Sequence, residues 1–575
     1  LYPAQRGFRA TGAYGLQNRT KQPIKTIYVQ MTPNDDLHLT ALSFNKPGRM
    51  DSTHAKRFRF RAYTLAQPLQ PGDSLRMTFA ENQLVLGFPA GGSGSSIVPN
   101  GTFINQGYFP TLGYEDRYEL GDNDKRKENK LPEKERLPAR NNPAGLSRGA
   151  LGDDADEVDF AITVSTDPDQ TAVAPGYLQR SWQKPDASGQ LRRYFSYKMN
   201  RPMSLFYAIV SARYAVRKEV YQPKVGNPVN LEIYYHAAHA ENLDRMLRGM
   251  KASLGYYGTN FGPYQHRQLR LLEFPRYRGF AQSFANTVPF AEGMGFTQQI
   301  SDKPGKIDYA FYVTCHETAH QWWGHQVESA DVQGGTLLIE SLAQYSALMV
   351  MKQTYPKEMM RTFLKNELDD YLAGRSFERK KEKPLATVEN QQYIHYNKGS
   401  LAMYALQDYI GETNVNRALR SFRDKWNLDQ LPKNGRYPTS ADLITEFRAV
   451  TPDSLQSVVT DLFDTMTLFE NKADKVTMKP VGKAYDVTMT ISSAKFRADS
   501  LGNETPTKLN DLIYIGVYGE GKNDQDKLLY YQKYRLTKPK ETITVRVNEK
   551  PTRAGIDPLN LLVDRNSGDN VKAVE

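Results

Sequence analysis

Cysteine is almost absent from this sequence, and long hydrophobic runs are absent altogether. A single cysteine, Cys315, occurs among 575 residues, which excludes a framework of disulfide bonds within the chain. No run of about 18 apolar residues occurs, so the sequence offers no candidate for a membrane-spanning helix. The poverty of cysteine fits an exported bacterial protein.

The sequence also lacks a concentrated block of charge. Lys and Arg number 75 against 64 Asp and Glu, which gives a net charge of +11. The densest basic run, residues 125–127, is followed closely by glutamates. Proteins that bind nucleic acid concentrate their basic residues on a recognisable module. We therefore expect a solvated basic surface and no nucleic-acid partner.

Hydrophobic periodicity divides the chain into three parts. In residues 1–215 apolar and polar residues alternate, as over residues 75–79, which predicts strands with one buried face. Residues 216–470 are mostly helical in pattern, with an apolar stripe over residues 242–257. In residues 471–575 the alternation returns and predicts a small β-sandwich. The predicted fold class is therefore α+β multidomain, with an all-β N-terminal domain, a mostly helical middle domain and a C-terminal β-sandwich.

One stretch of the first part does not follow the strand pattern. Residues 122–156 are rich in charge, proline, asparagine and glycine. We predict a long surface loop, and a loop of that length is either functional or disordered.

The most informative stretch holds the motif His-Glu-x-x-His at residues 316–320. It lies in a run, from about residue 306 to 323, that is typical of a helix, where residues four apart point to the same side. His316 and His320 could therefore hold one Zn²⁺, and Glu317 between them could reach a metal-bound water as general base. The alternative is two ordinary helix histidines, and a third ligand would decide against it. The other histidines, His239 among them, lack metal spacing.

A candidate third ligand lies downstream, in Thr-Leu-Leu-Ile-Glu-Ser-Leu-Ala-Gln-Tyr at residues 336–345. Glu340 is one carboxylate among aliphatic residues, and burying an unpaired carboxylate is costly, so it should face a cation. The alternative is that Glu340 reaches solvent or pairs with an arginine. Two histidines and one glutamate would leave the fourth zinc position to water, which is the catalytic arrangement.

At these residues the sequence resembles the gluzincin-type zinc aminopeptidases, which include aminopeptidase N and leukotriene hydrolase. Residues 316–324 and 340–345 carry the resemblance. It extends over nearly all of the chain, because a β domain, a thermolysin-like catalytic domain and a C-terminal β domain also form that family's order. It implies one Zn²⁺ per chain, held by His316, His320 and Glu340. This chain has one residue more between the second histidine and the glutamate than the family usually has, and we place it in the loop at residues 331–335.

The resemblance also implies residues that contact the substrate. Tyr396 matches the family's Tyr-x-Lys-Gly segment, whose tyrosine hydroxyl donates to the oxyanion that forms at the scissile carbonyl. Glu292 is placed like the glutamate of the family's Gly-x-Met-Glu-Asn segment, which binds the free α-amino group of the substrate. The other members of that segment differ here. Tyr393 is expected either in the wall of the substrate pocket or in the core.

The predicted function is zinc-dependent hydrolysis of peptide bonds by attack of a zinc-bound water, with Glu317 as general base and Tyr396 as oxyanion donor. The resemblance favours an aminopeptidase that acts on peptides with a free N-terminus. One alternative is an endopeptidase or dipeptidase with the same zinc chemistry. Another is a non-catalytic docking or sensor domain of a membrane transporter.

The sequence looks most like the bacterial branch of this family whose peptidase domain is fused to membrane segments of ABC-transporter-permease type. The first residues show neither an initiator methionine nor the hydrophobic region of a signal peptide. We therefore expect a soluble, membrane-associated part of a longer chain, with transporter-like membrane segments as partners. Its expected location is extracytoplasmic (periplasmic), with the cytoplasm as the alternative.

Overall fold

The computed structural model describes residues 1–83, 96–151, 157–303, 306–521 and 526–575. Its residues form two compact units. The first comprises Leu1–Gln299, Tyr309–Asp331 and Trp426–Tyr437, and the second comprises Ile300–Asp308, Val332–Lys425 and Pro438–Glu575. The predicted division at residues 215 and 470 is a different one and stays a prediction.

The helices of the described ranges follow the predicted order, with few before residue 242 and many after it. In chain order they are α1 (Ala55–Phe58), α2 (Asn123–Glu128), α3 (Pro143–Leu146), α4 (Leu243–Asn260), α5 (Tyr309–Ala319), α6 (Leu342–Thr354), α7 (Lys357–Ser376), α8 (Gly399–Ile410), α9 (Glu412–Trp426), α10 (Leu431–Asn434), α11 (Ser440–Val450) and α12 (Gln456–Val459). None of them combines the length and hydropathy that a membrane-spanning segment needs.

The first unit consists largely of β-sheet because its sequence alternates. Leu75, Met77 and Phe79 are buried in one strand, and the residues between them are more exposed, so the predicted alternation is confirmed there. The strands of this unit are β1 (Phe8–Gln17), β2 (Ile24–Gln30), β3 (Leu37–Phe44), β4 (Gly48–Asp51), β5 (Phe60–Leu69), β6 (Ser74–Gln83), β7 (Thr102–Asn105), β8 (Thr111–Leu112), β9 (Glu157–Val158), β10 (Ala161–Thr166), β11 (Thr171–Val173), β12 (Tyr177–Pro185), β13 (Leu191–Lys198), β14 (Met203–Ser204), β15 (Ala208–Ala212), β16 (Ala215–Tyr221), β17 (Val229–Tyr235), β18 (Gln268–Phe274) and β19 (Thr287–Ala291).

One sheet of this unit positions the paired histidines. Its strand order is β16-β17-β18-β19, and β17, β18 and β19 run parallel to one another. Helix α4 is the crossover between β17 and β18, and its predicted apolar stripe over residues 242–257 is buried, from Leu243 to Tyr257. The Tyr257 hydroxyl donates to the carbonyl of Cys315 at 2.9 Å, so α4 holds α5 in place. Cys315 itself is a buried core residue.

The predicted loop at residues 122–156 is more structured than expected in its described part. It contains α2 and α3, each capped by the side chain that precedes it. Farther on, the backbone N–H of Leu151 donates to the Glu328 carboxylate at 2.8 Å, and Gly149 forms a bridge with Ala330. These contacts fix the stretch against the chain that follows α5. Residues 152–156 lie outside the described residues.

Glu81 on β6 is a carboxyl group in the core of the first unit. Its side chain is 2% exposed, and no group in the described ranges hydrogen-bonds to either of its carboxyl oxygens. Burial raises its pKa to about 8. The neutral acid is therefore the form that the folded protein holds at neutral pH.

This burial makes the stability of the protein depend on pH. The unfolded Glu81 ionises near pH 4.5 and the folded one near pH 8, so its stabilising contribution is complete below pH 4.5 and is lost as the pH rises to about 8. Between pH 4.5 and 8 the free energy of unfolding of the wild type should fall by on the order of 4 kcal/mol because of this group. Glu81→Gln has no carboxyl group to ionise, so we expect it to lack this fall. Urea unfolding at several pH values measures it, with exposed Glu133→Gln as control. Parallel curves for wild type and Glu81→Gln would contradict the prediction.

The second unit joins helices to a C-terminal β-sheet region. Helix α6 is buried on nearly every side, which explains why its sequence is apolar all round. The strands are β20 (Met466–Val481), β21 (Ala484–Ala498), β22 (Glu504–Thr507), β23 (Asp511–Glu520), β24 (Asp526–Leu536), β25 (Lys540–Val547), β26 (Pro551–Ile556) and β27 (Val571–Ala573). They form two four-stranded sheets that share one hydrophobic core, so the predicted C-terminal β domain is confirmed.

Candidate metal centre

Helix α5 carries the His-Glu-x-x-His motif and is shorter than predicted. It begins at Tyr309 rather than near residue 306 and ends at Ala319, so His320 lies in the turn that follows it. The backbone N–H of His320 still donates to the carbonyl of His316 at 3.3 Å, which keeps the two histidines one helical turn apart. Every residue of the helix from Ala310 to Ala319 is buried, so this part of it has no solvent face.

The two imidazoles face each other. Their Nε2 atoms are 3.1 Å apart, and both side chains are less than 10% exposed. The Nδ1 of His320 is 3.0 Å from the carbonyl oxygen of Trp323, a contact in which Nδ1 must carry the proton. That assignment leaves the Nε2 lone pair of His320 directed at His316. Two nitrogens bound to one tetrahedral zinc would lie roughly 3.3 Å apart, so this pair fits a zinc ion.

The turn after His320 is held by hydrogen bonds that the sequence did not reveal. The Gln321 side chain donates to the Ser283 hydroxyl at 2.6 Å and to the Phe284 carbonyl at 2.9 Å, and it accepts the Asn286 N–H at 2.9 Å. The chain then turns at Gly324, whose φ of +128° favours glycine. Gln321 is a member of the sequence motif for which sequence reasoning gave no role. The structure shows that it fixes the exit of the motif.

The predicted third ligand, Glu340, belongs to the second unit, whereas His316 and His320 belong to the first. Two imidazoles and one carboxylate form the donor set of a catalytic zinc site, which keeps one position open. Glu340 is half-buried and lies in a π-helical segment, Leu337–Ser341, that precedes α6. Its role as the third ligand stays a prediction, taken up as a proposal below.

Within the described residues of the first unit, His239, Glu273 and Glu292 each bring one ligand atom within 4.8 Å of the others. Glu273 is completely buried, accepts the backbone N–H of His236 at 2.6 Å and pairs with Nδ1 of His239. Burial raises the pKa of Glu273, and the nearby charge of Glu292 acts in the same direction. His239 is thus a histidine with a carboxylate partner. Sequence spacing could not reveal this group, because its members come from separate strands and turns.

Glu292 is the first residue of a short 3₁₀ helix, Glu292–Met294, that follows β19. The backbone N–H of Arg276 donates to its Oε1 at 3.2 Å, and the Arg276 Nε lies 3.6 Å from the same atom. The Arg276 side chain is 72% exposed, whereas that of Glu292 is 19% exposed. The predicted amine-binding carboxylate therefore has a cationic neighbour that solvent can reach. Its role in binding the substrate stays a prediction.

Tyr393 and Tyr396 share a second π-helical segment, Tyr393–Lys398. The Tyr393 hydroxyl donates to Glu378 at 3.0 Å, and its ring stacks on Tyr371 with centroids 6.0 Å apart. Tyr396 is half-buried, and its ring centroid lies 4.5 Å from that of His395. Tyr393 is thus engaged with α7 and the loop after it. The predicted roles of both tyrosines stay predictions.

Solved structures that are similar over most of the chain indicate its fold. The M1 zinc metallopeptidase of Deinococcus radiodurans is 16% identical with a TM-score of 0.53, over 79% of this chain and 89% of that chain. A mutant of that protein bound to the substrate Tyr-Ser-Ala gives 17% identity and a TM-score of 0.51, over 79% of this chain and 90% of that chain. The protein therefore has the multidomain fold of the M1 metallopeptidases.

A protein-family model matches the middle of the chain. Residues 250–460 match the family model described as the peptidase family M1 domain. This segment contains His316, His320 and Glu340, and it is similar to that peptidase domain.

Curated relatives that are named aminopeptidases match part of the chain. "Probable aminopeptidase 1" of Sulfurisphaera tokodaii is 26% identical over 183 residues, which is 30% of this chain and 23% of that protein. Human "Endoplasmic reticulum aminopeptidase 2" is 23% identical over 207 residues, which is 35% of this chain and 21% of that protein. The chain thus matches less than a quarter of the length of each of these two relatives.

Proposed function

We propose that this protein is a zinc-dependent metallopeptidase and that it removes residues from peptides with a free N-terminus. The observation that carries the proposal is the buried pair of imidazoles with Nε2 atoms 3.1 Å apart, one of them oriented by the Trp323 carbonyl. Support comes from the match of residues 250–460 to the M1 peptidase domain and from relatives that are named aminopeptidases.

His316, His320 and Glu340 are the residues that would hold the zinc. A Zn²⁺ bound there would polarise the scissile carbonyl and lower the pKa of water toward about 7. The three side chains contribute one negative charge in total, which leaves the site positive and suited to a developing oxyanion. The Trp323 carbonyl keeps the His320 ring in the orientation that the site needs.

Glu317 and Tyr396 would carry the proton transfer and the charge stabilisation. Glu317 is 5% exposed and lies beside His316 on α5, where a carboxylate can take a proton from the attacking water and pass it to the leaving amine. Tyr396 offers a neutral phenol, which donates a hydrogen bond to charge that develops only in the transition state.

Glu292 is the residue that we propose to bind the substrate's α-amino group. Its removal tests the exopeptidase activity specifically. We expect Glu292→Gln to lower kcat/KM on amino-acid amides by about tenfold to a hundredfold, because a charged hydrogen bond contributes roughly 1.5–3 kcal/mol. Chromogenic amides measure this loss. Glu219→Gln, which removes a carboxylate paired with Lys251 elsewhere in the first unit, is the control and should change nothing.

A second candidate function is an endopeptidase or dipeptidase with the same zinc chemistry. The Arg276 contacts of Glu292 favour it, because an arginine can satisfy the carboxylate that the substrate amine would otherwise occupy. Assays on N-acetylated peptides separate the two functions. If N-acetylated peptides are cleaved as fast as peptides with a free N-terminus, the protein is an endopeptidase rather than an aminopeptidase. Cleavage of neither would favour a docking or sensor domain.

The location of the protein is a further part of this proposal. We infer an extracytoplasmic position beside membrane segments of the same longer chain. The single cysteine in 575 residues and the resemblance to the transporter-fused branch support it. Protease added to intact cells and to spheroplasts tests the location. Cleavage only after the inner membrane is broken would place the protein in the cytoplasm instead.

A further inference from the structure

Two π-helical segments of the second unit carry two of the residues proposed for the site. Leu337–Ser341 carries Glu340, and Tyr393–Lys398 carries Tyr396. A π turn is rare, and it persists where surrounding contacts support it, often at functional sites. The contacts that support these two segments therefore affect the third ligand and the oxyanion donor.

The two segments meet at Ser341. Its hydroxyl is fully buried and donates to the carbonyl of His395 at 2.6 Å. Gly399, directly after the second segment, also faces this serine. A Cβ added to Gly399 would lie 2.8 Å from the Ser341 Cβ and still closer to its hydroxyl oxygen, so any larger residue at position 399 would push the two segments apart.

The far side of the Tyr396 segment is held by α7. The Asn397 side chain donates to Glu367 at 3.0 Å, and Gly374 approaches Tyr393 so closely that a Cβ there would lie 2.7 Å from the Tyr393 ring. Helix α7 therefore fixes the segment from one side. Ser341 is the contact that fixes its distance from the segment of Glu340.

We propose that Ser341 is a positioning residue that sets Glu340 and Tyr396 relative to each other. Its hydrogen bond to His395 and its contact with Gly399 join the two π-helical segments. It is the next residue after the proposed ligand, and its acceptor belongs to the residue before the proposed oxyanion donor. The inference rests on the proposed function for what Glu340 and Tyr396 do, whereas the contact itself does not depend on it.

A displacement at this contact should affect metal binding and turnover together. Supporting groups around metal ligands commonly change metal affinity or activity by 10- to 100-fold when they are lost. A misplacement of about 1 Å at a reacting group can lower the rate about a hundredfold. Substrate affinity should change little, because Ser341 is fully buried and lies outside the groups proposed to bind the peptide.

Two single variants test the hydrogen bond and the packing separately. We expect Ser341→Ala to weaken zinc binding about tenfold and to lower kcat about tenfold, with KM within twofold of wild type. We expect Gly399→Ala to lower both by about a hundredfold, because the added methyl group forces the segments apart. Zinc affinity is measured by competition with a chromogenic chelator, and kcat and KM on an amino-acid amide.

An exchange variant tests the steric explanation. Ser341→Gly combined with Gly399→Ala moves the side-chain volume from one residue to the other and makes room for the new methyl group. The pair should therefore recover from the level of Gly399→Ala to that of Ser341→Ala, because only the hydrogen bond is then missing. A double variant no better than Gly399→Ala would overturn the packing argument.

Ser440 provides a matched control within the same unit. It is fully buried, its hydroxyl donates to the Ala386 carbonyl at 2.6 Å, and a Cβ on Gly334 would lie 2.9 Å from its Cβ. Ser440→Ala should lower Tm about as much as Ser341→Ala and leave zinc affinity and kcat unchanged. The proposal is overturned if Ser341→Ala changes both by less than twofold, or if Ser440→Ala changes them equally.

The experiment separates this inference from the proposed function. If the wild-type protein cleaves no peptide, the proposed function fails, and the zinc-affinity arm still tests Ser341. If the wild type is active but its zinc affinity and kcat are insensitive to Ser341 and Gly399, the positioning role fails and the proposed function stands.

Discussion

Glu317→Gln is expected to leave zinc binding intact and to lower kcat by about a hundredfold to ten-thousandfold. The amide has the size of the carboxylate but cannot accept a proton from water, so the general-base step is lost. Glu317 is not one of the three residues that we propose as zinc ligands, so it should contribute little to metal affinity. Zinc stoichiometry and the rate on amino-acid amides are measured on the same preparation.

The control for this variant is Glu232→Gln on β17. Glu232 lies in the same unit and pairs with Lys218, so its loss removes a carboxylate of the same kind away from α5. It should keep wild-type turnover. A Glu317→Gln protein with near-wild-type kcat would show that this carboxylate is not the base and would remove the proposed mechanism.

Glu340→Ala has the second large expected effect, and it concerns the metal. We expect zinc affinity to fall by more than about a hundredfold, since the loss of a direct ligand should exceed the 10- to 100-fold effect of groups that only support ligands. The remaining two imidazoles form an incomplete donor set. Chelator competition measures the affinity, and turnover should return in part at high free zinc.

Glu446→Ala serves as the control for this variant. Glu446 is a buried glutamate on α11 of the same unit, and it pairs with Lys425. Its removal should destabilise the protein without changing zinc affinity. If Glu340→Ala retains stoichiometric zinc as tightly as wild type, the third ligand lies elsewhere in the chain.

Much of the fold could be predicted because burial imposes a period on the sequence. The alternation over residues 75–79 and the stripe over residues 242–257 correspond to a buried strand face and a buried helix face. The end of α5 could not be predicted in the same way. Trp322 and Trp323 lie beyond the end of the helix and are apolar, because the turn there is as buried as the helix itself.

The sequence predicts those parts of the site whose residues lie close together along the chain. His316 and His320 are four residues apart, and the structure places their Nε2 atoms 3.1 Å apart. Contacts between distant parts of the chain leave no such spacing. Glu273 meets His239 only when the sheet forms. The same holds for Gln321 and Ser283, which lies in the turn before β19.

The π-helical turn at Leu337–Ser341 has a consequence for the length of the chain between the zinc-binding residues. The N–H of Leu342 donates to the carbonyl of Leu337, five residues back, where an α-helix would use the carbonyl four back. Such a turn holds one residue more than an α turn without rotating the following helix by the usual 100° per residue. The resemblance to the zinc aminopeptidases gives this chain one extra residue between His320 and Glu340, and we placed that residue in the loop at residues 331–335. The π turn offers another place for it, within the helix. In that case α6 keeps the register that it would have without the extra residue.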